Sequence, residues 1–488
     1  MTQFLHGAEV IEIDDGPRPI QTVKSAVIGL VGTAPAALGA LAAAMSVGAE
    51  VLNDGLQFTA VAAGRAGNAL SVEAVDPQAN NAALAVSVTD NKISISLATD
   101  AGGVLTSTAA DVKAGVEGEP AAAGLVNVAL LGDGSGVVTT WPRSYLVDGE
   151  DEAFPLNKPV VVAGSRKRAA GLGSAGTLPK AIDDIFDQAG ALVVVVRVAE
   201  GNDSAATQAN VIAGMQGWLD SQTETGYQPR ILIAPEFSQF DGVAAELAAK
   251  TVRLRAIAYL DCERSATYTD AMKRARGFGE RVEMLWPWVT VFDEDQAQNV
   301  ARPYSGRAAG LRARIDAEKG FWWSKSNNEV YGIVGVDQQV DWSLGDANTT
   351  ANMLNENKVS TIIREGGFRH WGNRTCSVDP KWMYEQTRRT ADMINDSIQR
   401  AHLWAVDRNI TKTYLEDVVE GVNAYLRELK ALGALLGGVC WVDKELNTPA
   451  TVQKGLVYFD FDFCPPYPAE HIVFRSRLNN DYIEEVFS

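Results

Sequence analysis

The sequence predicts a multidomain protein of mixed α/β and α+β class: an α/β core domain, a C-terminal α+β domain with extended terminal arms, and an inserted β-rich domain. Three observations carry this expectation. Between residues 159 and 260, short apolar runs alternate with segments of helical period, the pattern of a largely parallel sheet. Residues 381–432 hold two long helical patterns and are followed by an alternating run at 456–463. Residues 36–152 differ in composition from both flanks, and 488 residues exceed what one ordinary core holds. The expected parts are an arm at 1–20, an α/β domain at 21–35 and 153–345, the insertion at 36–152, an α+β domain at 346–470 and a second arm at 471–488.

Taken in order, Ala8–Ile13 alternates between Gly7 and the turn formers Asp14-Asp15-Gly16-Pro17, so it reads as a short strand that needs a sheet edge. Residues 23–31 form a strand ending at Gly32. The segment 36–152 is rich in Ala, Val, Gly, Ser and Thr; its fourteen acidic and four basic residues hold −10 of the net charge of −18. Alternating runs at 69–75, 83–88 and 92–97, the last two around Thr89-Asp90-Asn91, predict strands and a hairpin. Strands are then expected at 159–163, 191–198, 230–234 and 256–260, with helices at 178–188, 205–219 and 242–254 between them. Val359–Arg364 and Phe368–Thr375 flank Glu365-Gly366-Gly367 as a hairpin.

Met383, Thr387, Thr390, Ile394, Ile398, Ala401 and Ala405 recur at helical spacing and predict a helix over 381–406. A second spans 414–432, with Thr413 and Glu416 as capping box and Gly433 as stop. Strand 456–463 ends at Cys464-Pro465-Pro466. Asp481–Phe487 alternates like the first arm, so Val10, Ile11 and Ile13 with Tyr482, Ile483, Val486 and Phe487 are candidates for strands paired with a neighbouring copy.

Charge and composition exclude several classes. Forty-three basic against 61 acidic residues argue against a nucleic-acid partner, since phosphate binding needs a basic face. No run approaches the length of a membrane span, so membrane insertion is not expected. The start lacks a basic n-region and an apolar h-region, which reads as a chain kept in a cytoplasm. Four scattered cysteines and four scattered histidines form no disulfide framework or local metal motif, and no cofactor is expected.

One motif invites an enzymatic reading: Gly171-Leu-Gly173-Ser-Ala-Gly176 matches G-x-G-x-x-G, the fingerprint of a nucleotide-binding α/β enzyme. Seven residues separate it from the preceding strand, and Pro179 stands where the phosphate-binding helix should already run. A glycine-rich loop is the better reading. In Phe368–Arg374 the strand alternation separates His370 from Arg369 and Trp371, which favours packing over base stacking. Arg388, Arg389 and Arg400, beside the apolar stripe of the 381–406 helix, form a candidate basic contact surface on an acidic protein.

Specific stretches resemble a known family. Phe4-Leu-His-Gly-Ala-Glu-Val-Ile-Glu, Arg18-Pro-Ile, Val31-Gly-Thr-Ala, Phe154-Pro-Leu-Asn-Lys-Pro-Val, Leu311-Arg-Ala-Arg-Ile-Asp and Leu354-Asn-Glu-Asn-Lys-Val-Ser-Thr-Ile-Ile-Arg364 through Gly367–Cys376 are similar to contractile phage tail sheath proteins, most of all those of myophages and R-type pyocins. The resemblance implies a non-enzymatic subunit that polymerises as stacked hexameric rings around a tail tube and contracts to drive the tube through a host envelope. It also implies arms shared between copies, a C-terminal assembly domain, contacts with tube, baseplate and tail terminator proteins, and residence in the virion tail after assembly in the host cytoplasm. Arg388, Arg389 and Arg400 would then face the tube. Another tail protein, of tube or baseplate, is the neighbouring alternative. Residues 36–152 interrupt the family pattern.

Overall fold

The computed structural model describes residues 19–294 and 296–487, which pack as two compact units. The first arm, with Val10, Ile11 and Ile13, lies outside the described residues. β-branched runs with no polar face must be buried on both sides, which places them at the centre of a sheet. Val27–Thr33 (β1) is buried along its whole length. With Pro159–Ala163 (β2), Leu192–Val198 (β3), Ile231–Ile233 (β4), Ile257–Asp261 (β5), Val282–Leu285 (β6), Val359–Arg364 (β7) and Phe368–Trp371 (β8) it forms an eight-stranded sheet. The order is β8-β7-β6-β5-β4-β1-β3-β2. β1 runs parallel to both β3 and β4, so the chain builds outward on one side and then crosses to the other, a doubly wound arrangement. The two edge strands, β2 and β8, are antiparallel to their neighbours.

Helices Thr177–Phe186 (α1), Ser204–Gly214 (α2), Asp241–Leu254 (α3) and Ser305–Glu318 (α4) belong to the same unit. The single helix expected at 205–219 breaks in two, at Ser204–Gly214 and Gly217–Thr225. Its glycines allow close approach to β3: a Cβ on Gly214 would lie 2.3 Å from Val198. The core joins Val194, Val196, Val211, Trp218, Leu232, Leu247, Leu260 and Met284.

At the carboxyl ends of the strands, where doubly wound proteins bind ligands, this chain seats its own helix. Buried Asp261, the last residue of β5, accepts a hydrogen bond from the Ser305 amide at 2.8 Å, satisfying one of the free amides at the start of α4, and another from the Ser238 hydroxyl at 3.2 Å.

Pro35–Leu156, with Ala170–Ala175, forms the second unit around its own core of Phe58, Val72, Ile93, Ile95, Val112 and Val128. It holds a three-stranded antiparallel sheet and a four-stranded mixed sheet. Asp90 takes φ +54° in the hairpin between Ala85–Thr89 and Lys92–Ser96. A helix at Ala109–Gly118 was not expected, although Thr108 and Asp111 spell its capping box. The unit closes on itself, since Leu41 and Glu150 exchange backbone hydrogen bonds of 2.8 and 3.1 Å.

The last third contains Glu385–Ala401 (α5) and Lys412–Ala431 (α6), then an antiparallel hairpin of Gly437–Val442 (β9) and Phe459–Cys464 (β10). α6 starts earlier than expected: Thr411, still extended at φ −124°, caps it by accepting from the Tyr414 amide, and Thr413 and Glu416 lie inside the helix. Gly433, at φ +80°, ends it. Met393 and Ile394 of α5, Val422, Tyr425, Leu426 and Leu429 of α6 and Cys440 share one core, against which Phe459, Phe461 and Phe463 pack.

Burial pushes the Asp261 carboxyl up to about 6, against 3.8 for an ordinary aspartate. A raised folded-state pKa means that this group's stabilisation is full below about pH 4 and is lost as pH rises through about 6. Urea unfolding between pH 4 and 7 should therefore show a pH-dependent loss in the wild type that shrinks by ~3 kcal/mol in Asp261→Asn, from ~2 pKa units at 1.36 kcal/mol each. Identical pH profiles for the two proteins would refute the assignment.

Candidate functional site

Helix α5 packs through charge as much as through its apolar stripe. Glu385, Arg389, Asp392, Asp396 and Arg400 recur every three or four residues, so they line one side of the helix. Each meets a polar partner in the α/β unit. The Tyr259 hydroxyl donates to Glu385 at 2.6 Å, and Arg389 grips Asp316 of α4 with two bonds of 2.8 and 2.7 Å. Arg281 makes a two-bond fork with Asp392 at 2.6 and 2.8 Å. Arg230 and Arg255 both pair with Asp396, and Arg400 reaches Gln228 at 2.7 Å and Gln222 at 3.0 Å. Arg230 and Arg281 stand immediately before β4 and β6, and Arg255 stands two residues before β5. Three arginines at the amino ends of three parallel strands thus clamp one helix.

This corrects the expectation for Arg388 and Arg389, which are 8% and 2% exposed. Arg388 stacks on Trp382 at 3.9 Å and donates to Asp392 at 2.9 Å, so neither guanidinium is available to a partner's surface. A basic pair beside an apolar stripe reads as solvated until the acids of other elements are placed against it. Arg400 alone of the three is exposed.

Behind the clamp lies a fully buried cluster. Lys325 pairs with Glu283 of β6 and with Glu385, the latter at 3.2 Å, and Arg312 of α4 pairs with Asp316 at 2.8 Å. Burial acts to raise the Glu385 and Asp316 pKa values, but the neighbouring cations overcome it and hold both carboxyls below their usual range. Burial also lowers the pKa of His370, which stands 3.2 Å from Glu283 and has the Tyr304 hydroxyl 2.7 Å from Nδ1. His370 and Trp371 serve packing, with Trp371 edge-on to Trp342 at 5.6 Å.

The glycine motif does not build a nucleotide site. The strand before it, β2, is an antiparallel edge strand, not the central parallel strand of a dinucleotide fold. Its glycines serve the chain's own backbone: the Leu38 amide donates to the Gly171 carbonyl at 2.9 Å, and a Cβ on Gly173 would lie 2.2 Å from the Ala36 carbonyl oxygen. Among the described residues, no group of three His, Cys, Asp or Glu side chains could hold a metal ion.

The hairpin is the other notable surface. A two-stranded sheet is marginal alone. This one covers α6 with Phe459, Phe461 and Phe463, and its opposite face carries Val439, Trp441, Asp460 and Asp462. Asp443 donates its amide to the Tyr458 carbonyl, so by alternation the backbone groups of Cys440 point away from β10 and those of the three phenylalanines point away from β9. Asn423 of α6 fills the Cys440 position, accepting from its amide at 2.8 Å and donating to its carbonyl at 3.0 Å. Among the described residues no strand pairs with the outer edge of β10. The strand expected at 481–487 is instead a short 3₁₀ helix at Asn480–Phe487, with Tyr482, Ile483 and Val486 exposed. Without a ladder partner, a lone strand has only local i→i+3 bonds to make.

Comparison with known proteins agrees with this architecture. The family described as phage tail sheath protein central domain matches residues 205–376, and the phage tail sheath C-terminal domain matches 377–479. The tail sheath protein of Escherichia phage P2 is 35% identical over 380 residues, covering 73% of this chain and 96% of that protein. The tail sheath protein of Burkholderia phage BcepMu is 32% identical over 98% of both chains, a match that takes in residues 36–152. Among solved structures, the contracted sheath of the PVC extracellular contractile injection system aligns with TM-score 0.53 at 18% identity, over 69% of this chain and 90% of that one. The contracted helical sheath of the anti-feeding prophage aligns with TM-score 0.52 at 20% identity, over 70% of this chain and all of that one.

Removing one partner from a buried ion cluster strands the others. Glu385→Ala should lower the unfolding free energy by ~3–5 kcal/mol in urea titration, while Arg400→Ala, at the exposed end of the seam, should change it by less than about 0.5 kcal/mol. A loss below about 1 kcal/mol for Glu385→Ala would show that the cluster is not a clamp.

Proposed function

This chain belongs to the contractile phage tail sheath family, and from that membership we propose how its subunits hold together while the sheath shortens. Subunits stack as hexameric rings around an inner tail tube, from a baseplate to a terminator, after assembly in the host cytoplasm. The arms of neighbouring copies complete the β9–β10 hairpin, and the observation that carries this reading is a β10 edge that no strand among the described residues pairs with, beside a phenylalanine face.

One arm of about six residues makes a few backbone hydrogen bonds, each worth ~0.5–1.5 kcal/mol net. Repeated around every ring, such weak links hold firmly because each bound arm keeps the next at high effective concentration. The globular surfaces are then free to exchange one packing for another, the repertoire of a contracting lattice. Val10, Ile11 and Ile13 form the first arm's strand. Arg400 remains the one cation of the α5 group to meet the tube. Residues 36–152 lie on the outer face, where added bulk leaves lattice contacts undisturbed.

Electron microscopy of the purified protein should show long hollow cylinders; discs or free monomers under all conditions would remove the proposal. Deleting residues 1–15 should leave a monomer with near-normal thermal unfolding that no longer forms long sheaths. Replacing residues 36–152 by a short Gly/Ser linker should preserve cylinders, because Leu41 and Glu150 already sit side by side. A folded deletion protein that never polymerises would make that module an essential lateral contact.

A further inference from the structure

We propose that an open cleft on the loop after β5 receives one arginine side chain from a second copy of the chain, with Glu263 and Trp288 as its main contacts. This rests on the polymeric reading above and adds a contact point and the chemistry of the group that fills it.

The loop is fixed by bonds that leave two of its side chains unspent. Past Asp261, the Trp288 indole N–H donates to the Cys262 carbonyl at 2.9 Å. The Ala266 amide donates to the Glu263 carbonyl at 3.0 Å. The Gln338 side-chain amide donates to the carbonyls of Arg264 and Ala266, both at 2.9 Å, and Trp286 adds a second donor to Ala266 at 2.8 Å. The Arg264 side chain folds back onto Asp337 in a two-bond fork, both bonds 2.9 Å long. Among the described residues nothing bonds the Glu263 carboxylate or the Ser265 hydroxyl, and both residues are exposed. They line a cleft of about 460 Å³ together with Gln239 and half-buried Trp288. A loop held this firmly presents its free groups already ordered, so a ligand meets them without having to order the loop first.

The free groups are acceptors. Only the NH₂ end of a side-chain amide can bond a carbonyl. Gln338 spends its NH₂ on the loop, and Gln239 spends its own on the Glu236 carbonyl at 3.0 Å, so each leaves its amide oxygen over. Arg264 and Asp337 cancel, and Glu263 sets the charge of the cleft. A carboxylate, two amide oxygens and an indole ring call for a flat cation with several N–H donors. A guanidinium has five donors and no acceptor, and it stacks on indole, whereas an ammonium offers only a point charge. The net charge of −18 identifies the source: copies repel one another unless their contacts set cations against carboxylates.

A titration and an assembly assay on the full-length chain test this. In unassembled protein labelled with 5-fluorotryptophan, N-acetyl-arginine amide should shift the Trp288 fluorine signal, which Trp288→Phe identifies, and saturate at millimolar concentration, as expected of one exposed ion pair. N-acetyl-lysine amide should bind several-fold more weakly, and Glu263→Gln should abolish the response. No shift, or the same shift in Glu263→Gln, would overturn the cleft as a cation site, and equal binding of the two amides would overturn the guanidinium assignment. Glu263→Arg, at an exposed position, should leave thermal unfolding unchanged and cut pelletable cylinders about tenfold by setting like charges together. Cylinders at wild-type yield from that variant would overturn the second copy as occupant. Failure of the polymeric reading shows separately, as a wild-type protein that forms no cylinders, because the titration needs no polymer.

Discussion

Everything in the larger unit depends on the clamp between α5 and the amino ends of β4, β5 and β6. Arg230, Arg255 and Arg281 project from three successive strand starts onto two aspartates of one helix. Charges taken out of water are tolerated only when paired, so the helix cannot slide by a turn without stranding several at once. Apolar packing alone would permit such a slide at lower cost, since Met393 and Ile394 would only exchange one greasy contact for another. The clamp sets the register, and α6 with the β9–β10 hairpin is carried on the same helix through the shared apolar core.

That rigidity suits a protein whose work is a change of lattice. A subunit that deformed internally would dissipate the difference between two packings instead of transmitting it. Here the centre is held by ion clusters, and the large apolar side chains of the segment after Glu470 stand exposed at the periphery. The two ends of the parallel strands share this division. Their amino ends bind α5, and at their carboxyl ends Asp261 receives the start of α4, so the crevice that makes a doubly wound sheet a ligand-binding fold is filled by the chain itself.

The elements that sequence reading placed well are those whose own residues carry the signal. β1, β2 and β3 are largely apolar, β-branched runs that need no tertiary information, and Gly433 and the 89–91 hairpin are set by local backbone conformation. Reading failed where a distant residue decides. Arg388 and Arg389 look solvated until Asp316, Glu280 and Asp392 are brought against them from 4 to 108 positions away. The 205–219 helix breaks at Met215 and Gln216, between two glycines that lie close to β3.

The sequence by itself determined the class of sheet, the helix pair, the acidic insertion and the resemblance to contractile sheaths, because period, composition and motif are properties of neighbouring residues. Only the tertiary structure decided that a dinucleotide-like glycine loop packs on its own backbone, that the basic pair of α5 is internal, and that Asn423 bonds the backbone at the outer edge of β9. Those are questions of which polar groups find partners after folding. The partners lie on other elements, so no local pattern records them.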